Sequence, residues 1–240
     1  MPKALSVLLN WTPFAGAYLI TALTCFVVAW LCWRRNSIPA GLSLALLMAA
    51  IGEWALAGAF EIVAVGIPSK VFWSQVSYIG NATSPVLLLV FALDYARHTR
   101  YLNRRTLLVL FAFPALTLLI AATNDAHHWL WNSFSLRADG TNILIYGHGF
   151  WFWIFVTYAY LALTVGMVVL ARAAVRFRGI YRQQALLLCL SALLPGAWNI
   201  LYILGLSPVP GLDLTPIAFA VTGWLLVLTI LRYHLLDLVP

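Results

Sequence analysis

Long apolar stretches separated by short polar segments run through almost the whole chain. Each stretch is about 20 residues long, which at a rise of about 1.5 Å per residue is enough to cross a hydrocarbon layer of about 30 Å. The stretches cover about residues 14–33, 40–66, 71–95, 106–123, 150–171, 184–205 and 214–233. The pattern therefore predicts an all-α membrane protein, a bundle of seven transmembrane helices.

Each of the last two predicted helices contains a proline with a structural role. Pro195 lies in the middle of the sixth stretch, where it cannot donate a backbone hydrogen bond, so we expect a kink that could act as a hinge. Asn199 and Tyr202 follow it by one and two turns. The seventh helix is predicted to begin at LDLTPIAF, with Thr215 as its N-cap and Pro216 in its first turn.

The longest segment between apolar stretches covers about residues 124–149. It has short runs typical of strands on either side of Asp139 and Gly140, which favour a turn. We therefore predict a short hairpin on the outer side of the membrane, between the fourth and fifth helices.

Composition supports the membrane assignment and limits the domain organisation. The chain has 240 residues, of which 63% are hydrophobic and 9% charged, with a mean hydropathy of +0.93. These values lie far outside the range of soluble globular domains. Residues 1–240 are predicted to form a single seven-helix domain, and we expect any catalytic output domain to follow residue 240.

The basic residues indicate the orientation. The net charge is +7, but the cations occur in short clusters between apolar stretches, which argues against nucleic-acid binding. One side would hold Arg34, Arg35, Arg97, Arg100, Arg104, Arg105, Arg172, Arg176, Arg178, Arg182 and Arg232. The other side would hold only Lys3, Lys70 and Arg137. By the positive-inside rule the amino terminus is outside and the carboxyl terminus cytoplasmic, in a multi-pass protein of the cytoplasmic (inner) membrane.

Acidic residues within a membrane span are costly and suggest function. Glu53 and Glu61 both lie in the second stretch, eight residues apart, within one wedge of about 80° of the helix. Trp54 lies on nearly the same face as Glu61. Glu61 is the stronger ligand candidate because it lies nearer the outer surface, and Glu53 is a possible second carboxylate.

The third stretch carries a polar stripe in its outer half, formed by Gln75, Tyr78, Asn81 and Pro85. Other polar residues fall at the same depth, namely Glu61, Asn199, Tyr202, Asp213 and His148. This distribution predicts a polar cavity open to the outside and closed on the inside by apolar side chains. The alternative is that these groups only hydrogen-bond between helices.

Several chemistries do not fit the residues. A retinal protein needs a lysine well inside a span, and Lys3 and Lys70 are predicted at the outer edge. His127, His128 and His148 lack the spacing of a metal-hydrolase site. No nucleotide-binding motif occurs. We therefore predict no catalytic residue, no metal and no cofactor for this chain.

The chain resembles the seven-span membrane region at the amino terminus of bacterial and archaeal sensor histidine kinases. The resemblance rests on Trp54 with Glu61 and on ordered segments that cover nearly the whole chain. These segments are residues 72–96, 123–128, 149–163, 182–184, 194–199, 212–217 and 232–240. Glu53 is a departure from the pattern.

The resemblance implies a sensor domain that is not itself an enzyme and whose parent protein is a histidine kinase of a two-component system. It would bind a small or lipid-like ligand and act on a cytoplasmic PAS or kinase region, and through it on a response regulator, as a homodimer. The ligand-binding residues would be Trp54, Glu61, Gln75, Tyr78, Asn81, Asn199, Tyr202 and Asp213. A small-solute transporter and an intramembrane metal-dependent hydrolase are the alternatives.

Overall fold

The computed structural model describes residues 10–34, 40–138, 141–219, 221 and 225. Its helices are α1 (Pro13–Arg34), α2 (Gly41–Val63), α3 (Ile67–Tyr95), α4 (Arg104–Ala122), α5 (Asn124–His127), α6 (Phe150–Arg176) and α7 (Ile180–Ile203), with a 3-10 turn at Thr99–Tyr101. Within this part of the chain, six helices are long and apolar enough to cross a membrane: all of these except α5. A multi-pass helical membrane protein is therefore confirmed.

The seventh predicted helix is described only at its start. Residues 215–219, 221 and 225 are helical, and the remainder of the predicted 214–233 span lies outside the described residues. The same is true of the closing segment 232–240 and of Arg35, Lys3 and Arg232.

Helix α3 is central to the bundle, since α2, α4 and α6 all pack against it. Helix α1 packs on α2, and α7 packs on α6. The chain connections place the carboxyl-terminal ends of α1, α3 and α6 together with the amino-terminal ends of α2, α4 and α7. We call this end of the bundle the arginine-rich end, because its described arginines are Arg34, Arg97, Arg100, Arg104, Arg105, Arg172, Arg176, Arg178 and Arg182.

Helices α2 and α3 are in close backbone contact at Gly80. A Cβ atom at this position would lie 2.0 Å from the carbonyl oxygen of Ala50 and 2.8 Å from Oε2 of Glu53. Real Cβ atoms do not tolerate such distances, so only glycine allows this contact between the two backbones. The contact therefore sets which faces of α2 and α3 pack against each other.

An antiparallel hairpin covers that opposite end, which we call the hairpin end. Strands β1 (Trp131–Leu136) and β2 (Leu144–His148) pair with Leu136 opposite Leu144, and a bulge lies between Trp131 and Ser133. The predicted turn residues Asp139 and Gly140 lie outside the described residues. Buried Asn124 holds the hairpin to α5, because its Oδ1 accepts from the backbone N–H groups of Leu130 and Trp131, each at 3.0 Å.

Candidate functional site

A cavity of about 210 Å³ lies between the helices and extends beneath the hairpin. Its wall at the arginine-rich end is apolar and is formed by Leu44, Leu47, Met48, Leu88, Phe91 and Leu188. Its wall at the hairpin end carries carboxylates, amides and hydroxyl groups. The cavity therefore has one polar and one apolar end, as the depth distribution of polar residues along the chain predicts.

Most of the predicted site residues line this cavity. They are Trp54, Glu61, Tyr78, Asn81, Asn199, Tyr202 and Asp213, together with Pro195 and His148. They come from α2, α3, α7, the hairpin and the segment before Thr215, so the fold brings together residues far apart in sequence. Whether they bind a ligand stays a prediction.

Gln75 is the predicted site residue that the structure directs elsewhere. It does not line the cavity, because its side chain is turned towards α4, where Nε2 donates to the carbonyl of Ala121 at 3.0 Å. Gln75 and Tyr78 are three residues apart, which leaves them about 60° apart around the helix. Because of that angle, Gln75 faces α4 while Tyr78 faces the cavity.

Glu53 also lies outside the cavity wall. Its Oε2 accepts from the backbone N–H of Gly80 at 2.7 Å, across the close contact between α2 and α3. Its Oε1 is buried and has no hydrogen-bond partner among the described residues. Although the two carboxylates are only about 80° apart around α2, Glu53 faces α3 and Glu61 faces the cavity.

Glu61 is paired with a lysine that the sequence analysis places at the membrane edge. Lys70 is completely buried, and its Nζ lies 3.7 Å from Oε1 of Glu61. The same Nζ donates to the carbonyls of Glu61, at 2.7 Å, and Ile62, at 3.3 Å. These are among the last carbonyls of α2, which have no partners within the helix. Lys70 therefore both caps α2 and neutralises Glu61.

Lys70 lies at the hairpin end of α3, as predicted, but α3 begins earlier than expected. The third apolar stretch is predicted to start near residue 71, whereas α3 begins at Ile67. Lys70 therefore lies in the first turn of α3 and points back to the end of α2. The short connection between the two helices, nine residues from Glu61 to Lys70, is the sequence signal that could have revealed the pair.

The hairpin contributes two further polar side chains to the cavity wall, Tyr146 and His148. The hydroxyl group of Tyr146 donates to Oε1 of Glu61 at 3.3 Å and also hydrogen-bonds to the hydroxyl of Ser74. Burial, together with the charge of Glu61, raises the pKa of Tyr146 well above its ordinary value. Sequence analysis did not single out Tyr146, because nothing in the local pattern links it to Glu61.

His148 stacks its ring on that of Phe152, with 3.7 Å between the ring centroids. Its Nδ1 is buried and has no hydrogen-bond partner among the described residues. Burial lowers the pKa of His148. The imidazole is therefore neutral at physiological pH and adds no positive charge to the cavity.

On the other side of the cavity, hydrogen bonds connect three helices to residues 213 and 215. Tyr160 donates its hydroxyl to Oδ1 of Asn199 at 2.9 Å, and Nδ2 of Asn199 donates to Oγ1 of Thr215 at 3.2 Å. Tyr18 of α1 donates its hydroxyl to the carbonyl of Asp213. Helices α1, α6 and α7 are thus connected to the start of the last helix.

Asp213, not Thr215, provides the side-chain cap at the start of that helix. Its Oδ1 accepts from the backbone N–H of Thr215 at 2.9 Å, while Thr215 is already helical. The predicted cap is therefore displaced by two residues. Thr215 instead directs its hydroxyl to Asn199, which connects the new helix to α7.

Burial raises the pKa of Asp213 from its ordinary 3.8 to about 6, although the hydrogen bonds from Thr215 oppose the change. Because the folded pKa is above the unfolded one, the folded protein binds more protons between these values, and stability falls as pH rises from about 4 to about 6. We expect Asp213→Asn, which keeps the carbonyl cap, to remove this part of the pH dependence.

The measurement is the midpoint of thermal unfolding in detergent at pH 4, 5, 6 and 7, for the wild type and Asp213→Asn. Asp125→Asn, which neutralises an exposed carboxylate near the hairpin, is the matched control. The same decline with pH in wild type and Asp213→Asn would contradict the assignment.

The histidines do not assemble a metal site in the part of the chain that the structure describes. No group of three or more His, Cys, Asp or Glu residues there could hold a metal ion. His127 hydrogen-bonds locally instead, through Nε2 to the hydroxyl of Thr123 at 3.1 Å and through Nδ1 to the backbone N–H of Trp129 at 3.0 Å.

Comparison with known proteins identifies one family. The family described as the N-terminal 7TM region of histidine kinase matches residues 17–240. A search of curated proteins finds no match. The matched region includes every cavity-lining residue named above.

Proposed function

Since the chain belongs to the family of N-terminal 7TM regions of histidine kinases, we propose that it is a membrane sensor domain that binds a small or lipid-like ligand in the cavity between its helices. The observation that carries the proposal is the cavity itself, polar at the hairpin end and apolar at the arginine-rich end. The family is sensory, so the chemical output would come from a cytoplasmic kinase region.

We place the arginine-rich end in the cytoplasm and the hairpin end outside, following the positive-inside rule. The polar end of the cavity is then next to the extracytoplasmic space, where an external ligand arrives. In this orientation the predicted seventh helix leaves the cavity and runs towards the cytoplasm, in the direction of an output domain such as a PAS or kinase region.

The start of that helix supports a route for the signal. Asp213 lines the cavity and caps the helix, and Phe219, one turn further on, packs edge-to-face on Trp54 with 6.0 Å between ring centroids. A ligand that displaces Asp213 or Trp54 would therefore move the helix directly. Pro195 lines the cavity in the middle of α7, where the missing backbone hydrogen bond favours a hinge.

The energy required sets a condition on the ligand. To shift a two-state equilibrium from mostly off to mostly on, a ligand must favour one arrangement by about 5 kcal/mol. Charge-assisted contacts with Glu61 and Asp213 would supply part of it. A homodimer would couple the shift in each subunit to the paired kinase regions and, through them, to a response regulator.

We expect Glu61→Gln to abolish the ligand response while the protein still folds. Lys70 keeps its two carbonyl partners in this variant, so the start of α3 remains attached to α2. The experiment fuses the chain to a histidine kinase output region in proteoliposomes and measures autophosphorylation against concentration for an agonist found by screening.

Glu53→Gln is the matched control, because it makes the same change in the same helix outside the cavity wall. An unchanged dose response in Glu61→Gln would remove Glu61 from the site. Uptake of the agonist into the same proteoliposomes would favour a transporter, which needs a polar route through the apolar end of the cavity.

A further inference from the structure

The cavity wall is acidic. Among its described residues are the carboxylates Glu61 and Asp213, and no lysine or arginine. Lys70, the cation paired with Glu61, does not line the cavity, and its ammonium group donates to two carbonyls at the end of α2. Since His148 is neutral, the described wall offers only negative charge to a ligand.

Glu61 and Asp213 differ in how that charge is balanced. Glu61 has Lys70 and the hydroxyl of Tyr146 beside it. Asp213 receives a hydrogen bond from the backbone N–H of Thr215, but no lysine, arginine or histidine in the described chain forms an ion pair with it. A buried carboxylate without a counter-charge is costly, and a cation beside it would remove that cost.

Aromatic residues line the cavity together with the two carboxylates. Tyr18, Tyr146 and Tyr202 are part of its wall, and the hydroxyl of Tyr146 donates to Oε1 of Glu61 at 3.3 Å. Tyr18 uses its hydroxyl within the protein, on the carbonyl of Asp213. Its ring remains part of the cavity wall. Carboxylates among tyrosine and tryptophan rings provide the two interactions that bind an ammonium group, ion pairing and cation–π attraction.

The opposite end of the cavity suits a hydrocarbon chain. Leu47, Met48, Leu88 and Leu188 line it, and none of them can hydrogen-bond through its side chain. An amphiphile would therefore place its polar group at the hairpin end and its apolar tail towards the arginine-rich end.

We propose that the cavity takes an organic cation, an amine or quaternary ammonium compound with an apolar tail, whose charged group lies between Asp213 and Glu61 among the tyrosine rings. The inference rests on the proposed receptor function and specifies its ligand class. It excludes fatty acids and other anionic amphiphiles, whose charge Asp213 would repel.

The test uses the full chain in nanodiscs of phosphatidylcholine and three labelled probes with the same tail: hexyltrimethylammonium, hexanol and hexanoate. Equilibrium dialysis gives each dissociation constant, with empty nanodiscs subtracted for partition into lipid. We expect hexyltrimethylammonium to bind at least about tenfold more tightly than hexanol, because only the cation gains ion-pair and cation–π contacts, and hexanoate to bind most weakly.

Asp213→Asn should reduce the affinity for hexyltrimethylammonium about tenfold and leave that for hexanol unchanged. An asparagine carbonyl can still accept from the N–H of Thr215, so the helix start is kept. Glu61→Gln is a second variant with the same expected direction. Asp125→Asn, at an exposed position outside the cavity, should bind all three probes as the wild type does.

Binding of hexanol or hexanoate at least as tight as that of the cation would overturn the inference but leave a ligand-binding cavity, and with it the receptor function. Equal binding of the cation by wild type and Asp213→Asn, or no saturable binding of any probe, would also overturn the inference. The receptor function would then be decided by the kinase response of Glu61→Gln, an experiment that does not depend on a cation.

Discussion

Gly80→Ala is expected to destabilise the bundle by about 3 kcal/mol or more, against the usual gain of about 1 kcal/mol when alanine replaces glycine in a helix. The added Cβ would lie 2.0 Å from the carbonyl oxygen of Ala50. The oxygen belongs to helical backbone and the Cβ is bonded directly to the other helix's backbone, so neither atom can rotate away, and α2 and α3 must separate. Separation also weakens the hydrogen bond between the N–H of Gly80 and Glu53.

Unfolding in mixed detergent micelles with increasing sodium dodecyl sulfate measures this loss. Gly16→Ala is the matched control, since the same substitution in α1 meets nothing within 4 Å and should change stability by less than about 1 kcal/mol. Equal stability of Gly80→Ala and Gly16→Ala would show that the two helices do not approach as closely as described.

Lys70→Met should cost about 3 kcal/mol, because it leaves Glu61 buried without its cation and removes the donor to the backbone carbonyl of Glu61. Methionine retains most of the apolar volume, so the loss reports mainly on charge and hydrogen bonding. The same detergent titration measures it.

A double variant separates the ion pair from the helix cap. Lys70→Met with Glu61→Gln should recover part of the loss, since the uncompensated carboxylate is gone while the carbonyl of residue 61 still lacks its donor. Arg137→Met, which removes a partly exposed cation at the same end of the bundle, should change stability by less than about 1 kcal/mol. If the double variant is as unstable as the sum of the single variants, Lys70 and Glu61 do not act as a pair.

The helices could be predicted from the sequence because burial in a membrane requires long apolar runs, and their lengths are set by the bilayer. The start of α3 could not be predicted in this way. Ile67, Pro68 and Lys70 have a mixed polar pattern, and only the contact with the end of α2 shows that they belong to the helix. The polar end of the cavity was predictable for a related reason, since polar groups in a span are costly unless they face the bundle interior.

The direction of individual side chains was less predictable. A helical stripe is wide enough to include both a cavity-facing residue, such as Tyr78, and one that faces a neighbouring helix, such as Gln75. Tyr18 and Tyr146 were missed because their partners, Asp213 and Glu61, lie far away in sequence and no local period connects them. Such pairs depend on how helices are arranged around α3.

The hairpin has a consequence for timing. It is anchored through Asn124, and two of its side chains, Tyr146 and His148, form part of the cavity wall. For a ligand bound in this cavity we expect the Asn124 anchor to limit the rate of dissociation, and so to set how long the response lasts after the stimulus is removed. A weaker anchor would shorten the lifetime of the bound state without changing which ligand binds.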